Sequence, residues 1–206
     1  EAIGLRFSNG VEVEYERLMS STSGAVMVVP MLDDDTVLLI REYAAGTERY
    51  ELALPKGLAE PGEDILEAAN RELQEEAGYG ARRLTPIRQL SIAPGYMQHR
   101  THIVLAEDLY PQRLQGDEPE PIEVVPWRLS ELPALLALDE CSEARSIAAL
   151  FMVRERLRGG GSEAGARPTS LDYWSRCAHW PKKPDGASSR STKRSSKSGT
   201  RPTIRH

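Results

Sequence analysis

Residues 57–79 read GLAEPGEDILEAANRELQEEAGY, and this stretch carries most of what the 206-residue chain reveals about its fold. A glycine-led loop is followed by a segment in which apolar residues recur at every fourth position, which predicts an amphipathic helix. Asp64 is suited to cap the start of this helix, and Gly78 is suited to end it. The stripe expected to face the core consists of Ile65, Ala69, Leu73 and Ala77.

Three glutamates, Glu72, Glu75 and Glu76, gather on one side of the predicted helix and border its apolar stripe. Like charges at this spacing destabilise a bare helix, and a bound cation would offset the repulsion. Carboxylate oxygens are the ligands that hard divalent ions such as Mg²⁺ and Mn²⁺ prefer. A merely solvated acidic face is the alternative for most glutamate-rich helices. Arg71 lies one turn before Glu75 and is placed to hold that carboxylate in one rotamer.

Nine positions of this stretch resemble the Nudix box, and every position that the box specifies is filled. These positions are Gly57, Glu63, Arg71, Glu72, Leu73, Glu75, Glu76, Gly78 and Tyr79. The resemblance implies an α/β protein with the Nudix fold, which is an α/β/α sandwich with a mixed sheet. It also implies an enzyme that uses Mg²⁺, with Mn²⁺ as a possible substitute, to hydrolyse a diphosphate linked to a nucleoside.

The resemblance also assigns functions to residues of the box. The expected metal ligands are Glu72, Glu75, Glu76 and the backbone carbonyl of Gly57. Glu75 is expected to have a catalytic function as well, and Glu63 and Arg71 are expected to orient the cluster. Because no cysteine, histidine or serine nucleophile stands beside these acids, water is the expected attacking group of a metal-assisted hydrolysis.

Two regions outside the box bear on the substrate. Pro94 lies sixteen residues beyond the last glycine of the box, where Nudix enzymes that act on ADP-ribose have a similar proline. Tyr96 occupies a place where dinucleoside polyphosphate hydrolases tend to have a tyrosine, although an ordinary turn is the alternative for this segment. By the same resemblance, Arg41 and Glu51 are expected to face the substrate. A structural ion pair is the alternative for each of these two charged residues.

The acidic loop LQGDEPEPIE, residues 114–123, supplies the remaining catalytic candidates. ADP-ribose-type Nudix relatives carry their general base, or an extra metal ligand, in a similar loop, which implies this function for Glu118 and Glu120. Pro119 and Pro121 would limit the freedom of the loop and so help to place these acids. A solvated surface loop is the alternative.

From residue 5 to residue 158 the chain resembles the branch of the Nudix superfamily that acts on ADP-linked compounds, in phrases such as RFSNGVEVEYER and DLYPQRLQGDEPEP. That branch cleaves ADP-ribose and diadenosine triphosphate and releases AMP, and NADH is expected as a secondary substrate. Two other classes stay open: a Nudix domain that only senses nucleotides, and a protein that contacts nucleic acid through its tail. The intact acidic cluster favours the enzyme.

The chain is predicted to form one Nudix domain at residues 1–158, followed by a tail at residues 159–206. A hairpin with Asn9 and Gly10 at its turn is expected at the start of the domain. Further strands are predicted at residues 26–31, 36–42, 102–106 and 122–127, and helices at residues 132–138 and 143–158. Residues 147, 150, 151 and 153 are expected to dock the last helix on the sheet.

The tail differs in composition from the domain, because it carries ten Lys or Arg against three Asp or Glu and is rich in serine. Such a segment is predicted to be mostly disordered. It could contact nucleic acid, but an unselected extension is the preferred interpretation, so a nucleic-acid partner is not expected.

The family resemblance implies a small-molecule nucleotide substrate and a homodimer. Relatives carry a further N-terminal stretch of strand before the position of Glu1, so the N-terminal strands are expected to be incomplete. Two lone cysteines, Cys141 and Cys177, suit a reducing cytoplasm, and no apolar run reaches membrane length.

Overall fold

The structure is a computed structural model, and it describes residues 1–20, 24–117 and 119–159. The strands of the described part are β1 (Ala2–Arg6), β2 (Glu12–Glu16), β3 (Ala25–Pro30), β4 (Thr36–Ala44), β5 (Arg49–Ala53), β6 (Lys56–Leu58), β7 (Tyr79–Ser91), β8 (Arg100–Pro111) and β9 (Glu123–Arg128). The helices are α1 (Ile65–Glu72), α2 (Leu132–Leu135) and α3 (Ala144–Arg158). A π-helical turn at Leu73–Ala77 continues α1, and a 3₁₀ turn at Leu129–Glu131 precedes α2.

A mixed sheet of four strands forms the centre of the domain, in the order β6-β3-β8-β7. Its middle strands, β3 and β8, run parallel, whereas β6 and β7 are antiparallel to their neighbours. All six residues of β3 are buried, as expected for a strand whose two faces are both covered.

Helices cover both faces of this sheet. Val26 and Val28 of β3 pack in one apolar cluster with residues of α1, while the alternate residues Met27 and Val29 pack in a second cluster with residues of α3. Side chains of a strand point to opposite faces in turn, so the two clusters lie on opposite sides of the sheet. The arrangement confirms the predicted α/β/α sandwich with a mixed sheet.

A second, antiparallel sheet has the order β5-β4-β9, and β1 pairs with β2 in a separate hairpin. Gly10 has a φ of 83°, which is the left-handed conformation that the hairpin turn requires, and Asn9 Oδ1 accepts a hydrogen bond from the backbone N–H of Val11. The predicted hairpin is therefore confirmed. All five residues of β2 are exposed.

The predicted strands and helices differ from the structure at some of their ends. The strand expected at residues 102–106 extends over Arg100–Pro111, and the helix expected at residues 132–138 ends at Leu135 and continues only as hydrogen-bonded turns. The thirteen-residue β7 was not predicted. Pro86 interrupts its apolar alternation, and the β7–β8 register shifts at Pro86.

Helix α3 begins after Glu143, whose carboxylate accepts hydrogen bonds from the backbone N–H groups of Arg145 and Ser146. Leu150 and Val153 are buried, and Ile147 and Phe151 pack against the same cluster, so the predicted docking face is confirmed. Within the described residues, no helix is both long and apolar enough to cross a bilayer. The tail predicted to be disordered lies outside the described residues from position 160 onward.

Candidate functional site

The helix that carries the acidic cluster has the predicted limits but not the predicted geometry throughout. Asp64 Oδ1 accepts a hydrogen bond of 2.8 Å from the backbone N–H of Leu66, and Gly78 ends the helix with a φ of 75°. Between these ends the last turn is π-helical and contains Glu75 and Glu76. Such wide turns are rare and occur often at functional sites.

Glu72 lies against the backbone of Gly57, which is the first glycine of the motif. A β-carbon added to Gly57 would lie 2.1 Å from both Cδ and Oε1 of Glu72. Strand β6 holds Gly57 in this position because the glycine pairs with Val26 of β3. Glycine is therefore the residue that lets the Glu72 carboxylate reach the sheet.

Glu76 is buried beside the same strand, β6, with 3% of its surface exposed. Its Oε2 accepts a hydrogen bond of 2.7 Å from the backbone N–H of Lys56. Burial raises the pKa of Glu76 to about 8, against the opposing effect of Lys56. A carboxylate in this setting needs additional positive charge to stay ionised near neutral pH.

Lys56 and Glu42 are site residues that the sequence analysis missed. Lys56 Nζ donates a hydrogen bond of 2.8 Å to Glu42 Oε2, and both residues act electrostatically on Glu76. The position of Lys56 directly before Gly57 was the available signal for this residue. Glu42 lies on β4, and no local pattern connects that strand to the helix.

Arg71 connects the acids of the motif. Its guanidinium donates bidentate hydrogen bonds to Glu63, at 2.9 and 3.0 Å, and its Nη1 donates to both Glu72 and Glu75, each at 2.9 Å. The predicted contact between Arg71 and Glu75 is therefore confirmed and is one of several. The hydrogen bonds from Arg71 hold the pKa of Glu63 below its usual value despite burial. A fourth group, the carbonyl of Leu58, accepts from Nη2 at 3.0 Å.

The donor chemistry of this cluster fits a hard divalent cation. Its side-chain donors are carboxylate oxygens, and the burial of Glu76 calls for positive charge nearby. Within residues 1–20, 24–117 and 119–159, however, no three His, Cys, Asp or Glu side chains are grouped as a ready metal site. The carboxylates of Glu72 and Glu75 are instead bridged by the Arg71 guanidinium.

Glu120 of the acidic loop, residues 114–123, lies near the acidic cluster. Its Oε1 accepts a hydrogen bond of 2.7 Å from the hydroxyl of Tyr50, and the Tyr50 ring meets the ring of Tyr43 edge-on at 5.5 Å. Glu120 also lines a cavity of about 470 Å³ together with Glu75. The second catalytic candidate of the loop, Glu118, lies outside the described residues.

Pro94 and Tyr96 line another cavity, of about 610 Å³, between the N-terminal hairpin and the segment before β8. Backbone hydrogen bonds hold this segment next to the residue that follows the hairpin. The N–H of Leu18 donates to the carbonyl of Tyr96, and the carbonyl of Leu18 accepts from the N–H of Gln98. The cavity lies at the same end of the sheet as Gly57 and Leu58 of β6. At that end, Ala25 pairs with Leu58 on one side and with Thr101 on the other, which places these partners roughly 10 Å apart.

Arg41 and Glu51 take part in separate polar networks. Arg41 donates to Glu140 at 2.9 and 3.1 Å and also pairs with Glu123. Glu51 is buried and accepts from Arg49 at 2.8 Å and from Ser142 at 2.9 Å. Both residues therefore form structural ion pairs, which is the alternative to a substrate contact given in the sequence analysis. That Arg41 and Glu51 face the substrate stays a prediction.

Comparisons with known proteins agree with this architecture. The sequence profile of the NUDIX domain matches residues 22–151. ADP compounds hydrolase NudE of Escherichia coli (strain K12) is 53% identical over 161 residues, which is 78% of this chain and 86% of the relative. ADP-ribose pyrophosphatase of Bacillus subtilis (strain 168) is 32% identical over 129 residues, which is 62% of this chain and 70% of the relative. A solved structure of ADP compounds hydrolase superposes with a TM-score of 0.72 at 52% identity, covering 78% of this chain and 86% of its own.

Proposed function

This chain belongs to the NUDIX family and is a pyrophosphohydrolase, and we propose that ADP-linked compounds, with ADP-ribose first among them, are its substrates. Water would cleave the diphosphate and release AMP. The names of the two relatives support this substrate class. Diadenosine triphosphate is the next expected substrate, and NADH is expected to be secondary.

The observation that carries the proposal is a cluster of three glutamates, two of which contact strand β6. Glu72 lies against Gly57, Glu76 accepts from the N–H of Lys56, and Glu75 shares the Arg71 guanidinium with Glu72. Carboxylates gathered in this way at the end of a sheet, with Glu75 lining a cavity, suit the hydrolysis of a charged linkage.

Nudix hydrolases use a divalent metal ion, and we propose Mg²⁺ here, with Mn²⁺ as a possible substitute. The groups that would hold the ion are Glu72, Glu75, Glu76 and the backbone carbonyl of Gly57. When bound, the ion would polarise phosphate oxygens and lower the pKa of a bound water. Arg71 and Glu63 would orient the ligands, since their bidentate pair fixes the guanidinium that contacts Glu72 and Glu75.

We propose Glu120 as the group that takes the proton from the attacking water. It lines the same cavity as Glu75, and the Tyr50 hydroxyl holds its carboxylate at one oxygen, Oε1, which leaves Oε2 for the water. Glu118 stays a second candidate for this function. The two prolines on either side of Glu120 limit the motion of its backbone.

We propose that the cavity lined by Pro94 and Tyr96 receives the nucleoside end of the substrate. Tyr96 is 57% exposed, so its ring is accessible for stacking, and Tyr15 of the hairpin lines the same cavity. The location of this cavity at the same end of the sheet as Gly57 of β6 supports the assignment. Arg41 and Glu51 stay candidate substrate contacts from the family resemblance alone.

We also propose a homodimer in the cytoplasm. The N-terminal hairpin exposes large apolar side chains, including Val11 at 50% and Tyr15 at 45%, and an isolated two-stranded hairpin is marginally stable in water. A second copy of the chain would cover this surface. The free thiol of Cys141 suits a reducing compartment.

The experiment that tests the proposed function is an assay of AMP release. The protein is incubated with Mg²⁺ and, separately, with ADP-ribose, diadenosine triphosphate and NADH, and AMP is quantified by chromatography. ADP-ribose should be cleaved with the highest kcat/KM. Nucleotide binding without AMP release would instead indicate a sensor. Nucleic-acid binding that is lost on deletion of residues 159–206, with hydrolysis intact, would reveal a second function in the tail.

A further inference from the structure

The segment that follows β8 is attached to the last turn of the helix that carries the acidic cluster. The N–H of Gln112 donates to the carbonyl of Gly78 at 3.0 Å, and the N–H of Leu114 donates to the carbonyl of Gln74 at 3.1 Å. Carbonyls at a helix end lack partners within the helix, and these two bonds provide them. The backbone on both sides of Arg113 is therefore fixed relative to Glu75 and Glu76.

The side chain of Arg113 packs over Gly78. A β-carbon added to Gly78 would lie 2.8 Å from Nη2 and 3.0 Å from Nε of Arg113. Nη1 also lies 3.5 Å from the carbonyl oxygen of Glu75, which is the outer limit of a hydrogen bond. Gly78 thus has two functions: it adopts the left-handed conformation that ends the helix, and it leaves room for a guanidinium at that end.

Arg113 lines the cavity of about 470 Å³ that also contains Glu75 and Glu120. Arg41, Arg71 and other arginines of the domain are paired with carboxylates. By contrast, among residues 1–20, 24–117 and 119–159, no carboxylate lies within 4.0 Å of Arg113. Arg113 is exposed, so its guanidinium is accessible to an anion that enters the cavity.

A guanidinium in this cavity would offset part of the charge of its carboxylates, beside the proposed metal ion. A diphosphate entering beside Glu75 and Glu120 would meet carboxylates, and like charges at short range repel each other strongly where water is partly excluded. A guanidinium presents several N–H donors in a planar fork that matches phosphate oxygens. We propose that Arg113 binds phosphate oxygens of the substrate, an inference that rests on the proposed hydrolysis of ADP-linked compounds.

The test compares ADP with adenosine as binding probes for the full-length protein, by isothermal titration calorimetry. A phosphate contact predicts that Arg113→Gln weakens ADP binding by roughly tenfold or more, and that adenosine binding is unchanged. Arg113→Lys should restore part of the ADP affinity. The matched control is Arg82→Gln, because Arg82 lies over the Tyr110 ring, at 4.9 Å from its centroid, and does not line the cavity.

Steady-state kinetics give a second measurement. With ADP-ribose, Arg113→Gln should raise KM by a similar factor and change kcat less. An unchanged KM and ADP affinity in an active enzyme would overturn the inference and leave the proposed function intact. Equal losses of ADP and adenosine affinity, with a lower Tm, would show a purely structural function and also overturn it. If the wild-type protein released no AMP, the proposed function would fail, and the comparison of ADP with adenosine would still decide the function of Arg113.

Discussion

The carboxylate of Glu72 occupies the space that a β-carbon of residue 57 would need, since that atom would lie 2.1 Å from Glu72 Oε1. No side-chain or backbone adjustment of a few tenths of an ångström relieves such an overlap. The first glycine of the motif is therefore required by the position of the Glu72 carboxylate.

Gly57→Ala should displace Glu72 and weaken the metal site. We expect the concentration of Mg²⁺ needed for half-maximal activity to rise by about tenfold or more, and the measurement is a Mg²⁺ titration of AMP release. Gly46→Ala is the matched control, because a β-carbon at Gly46 meets nothing within 4 Å. If both variants titrated like the wild-type protein, Glu72 would not be a metal ligand.

Tyr50→Phe should slow the chemical step through Glu120. The substitution removes the hydroxyl that donates to Glu120 Oε1 at 2.7 Å and keeps the ring. We expect kcat to fall by roughly fivefold to tenfold with little change in Tm, since one hydrogen bond to a carboxylate is lost at an exposed position. Tyr43→Phe retains its edge-on ring contact and should leave kcat unchanged. Equal kcat values for the two variants would show that this hydrogen bond does not contribute to the chemical step.

Glu143→Ala should destabilise the domain in a pH-dependent way. Burial alone would raise the pKa of Glu143, but hydrogen bonds from Arg145 and Ser146 bring it below its usual value of 4.5. The folded state therefore binds this proton less readily than the unfolded chain, and the contribution to stability is complete above about pH 4.5 and is lost as pH falls through the lower folded pKa.

Urea denaturation at several pH values measures this contribution. At pH 7 the variant should lose roughly 1–2 kcal/mol, because the capping carboxylate at the start of α3 is gone. The difference from the wild-type protein should shrink below pH 4. Glu155→Ala, on the same helix, has a side chain that is 63% exposed and should cost much less. A constant difference at all pH values would show that the ionised form of Glu143 is not what stabilises α3.

Local patterns in the sequence predicted the parts of the fold that depend on neighbouring residues. The limits of the acidic helix follow from Asp64 and Gly78, and the N-terminal hairpin follows from Asn9 and Gly10. Strand β7 escaped prediction because its apolar positions do not alternate regularly around Pro86.

The contacts that complete the candidate site join residues far apart in the chain. Glu120 meets Tyr50, which is 70 positions away, and Arg113 meets the Glu75 carbonyl, which is 38 positions away. Such pairs are set by how the strands and loops pack together, and no spacing within one segment reveals them. The π-helical turn is a further example, since a regular helical period was the natural expectation for residues 73–77.

The most direct test of the account is the rate of AMP release from ADP-ribose and Mg²⁺ by the wild-type protein and by Glu76→Gln. Gln keeps the size of the buried side chain and an oxygen that can accept from the Lys56 N–H, but a neutral amide is a poor ligand for a hard cation. We predict AMP and ribose 5-phosphate in equal amounts from the wild-type protein, and a rate lower by about a hundredfold or more for the variant, with an unchanged circular dichroism spectrum. Turnover by Glu76→Gln at the wild-type rate would contradict the metal-assisted mechanism.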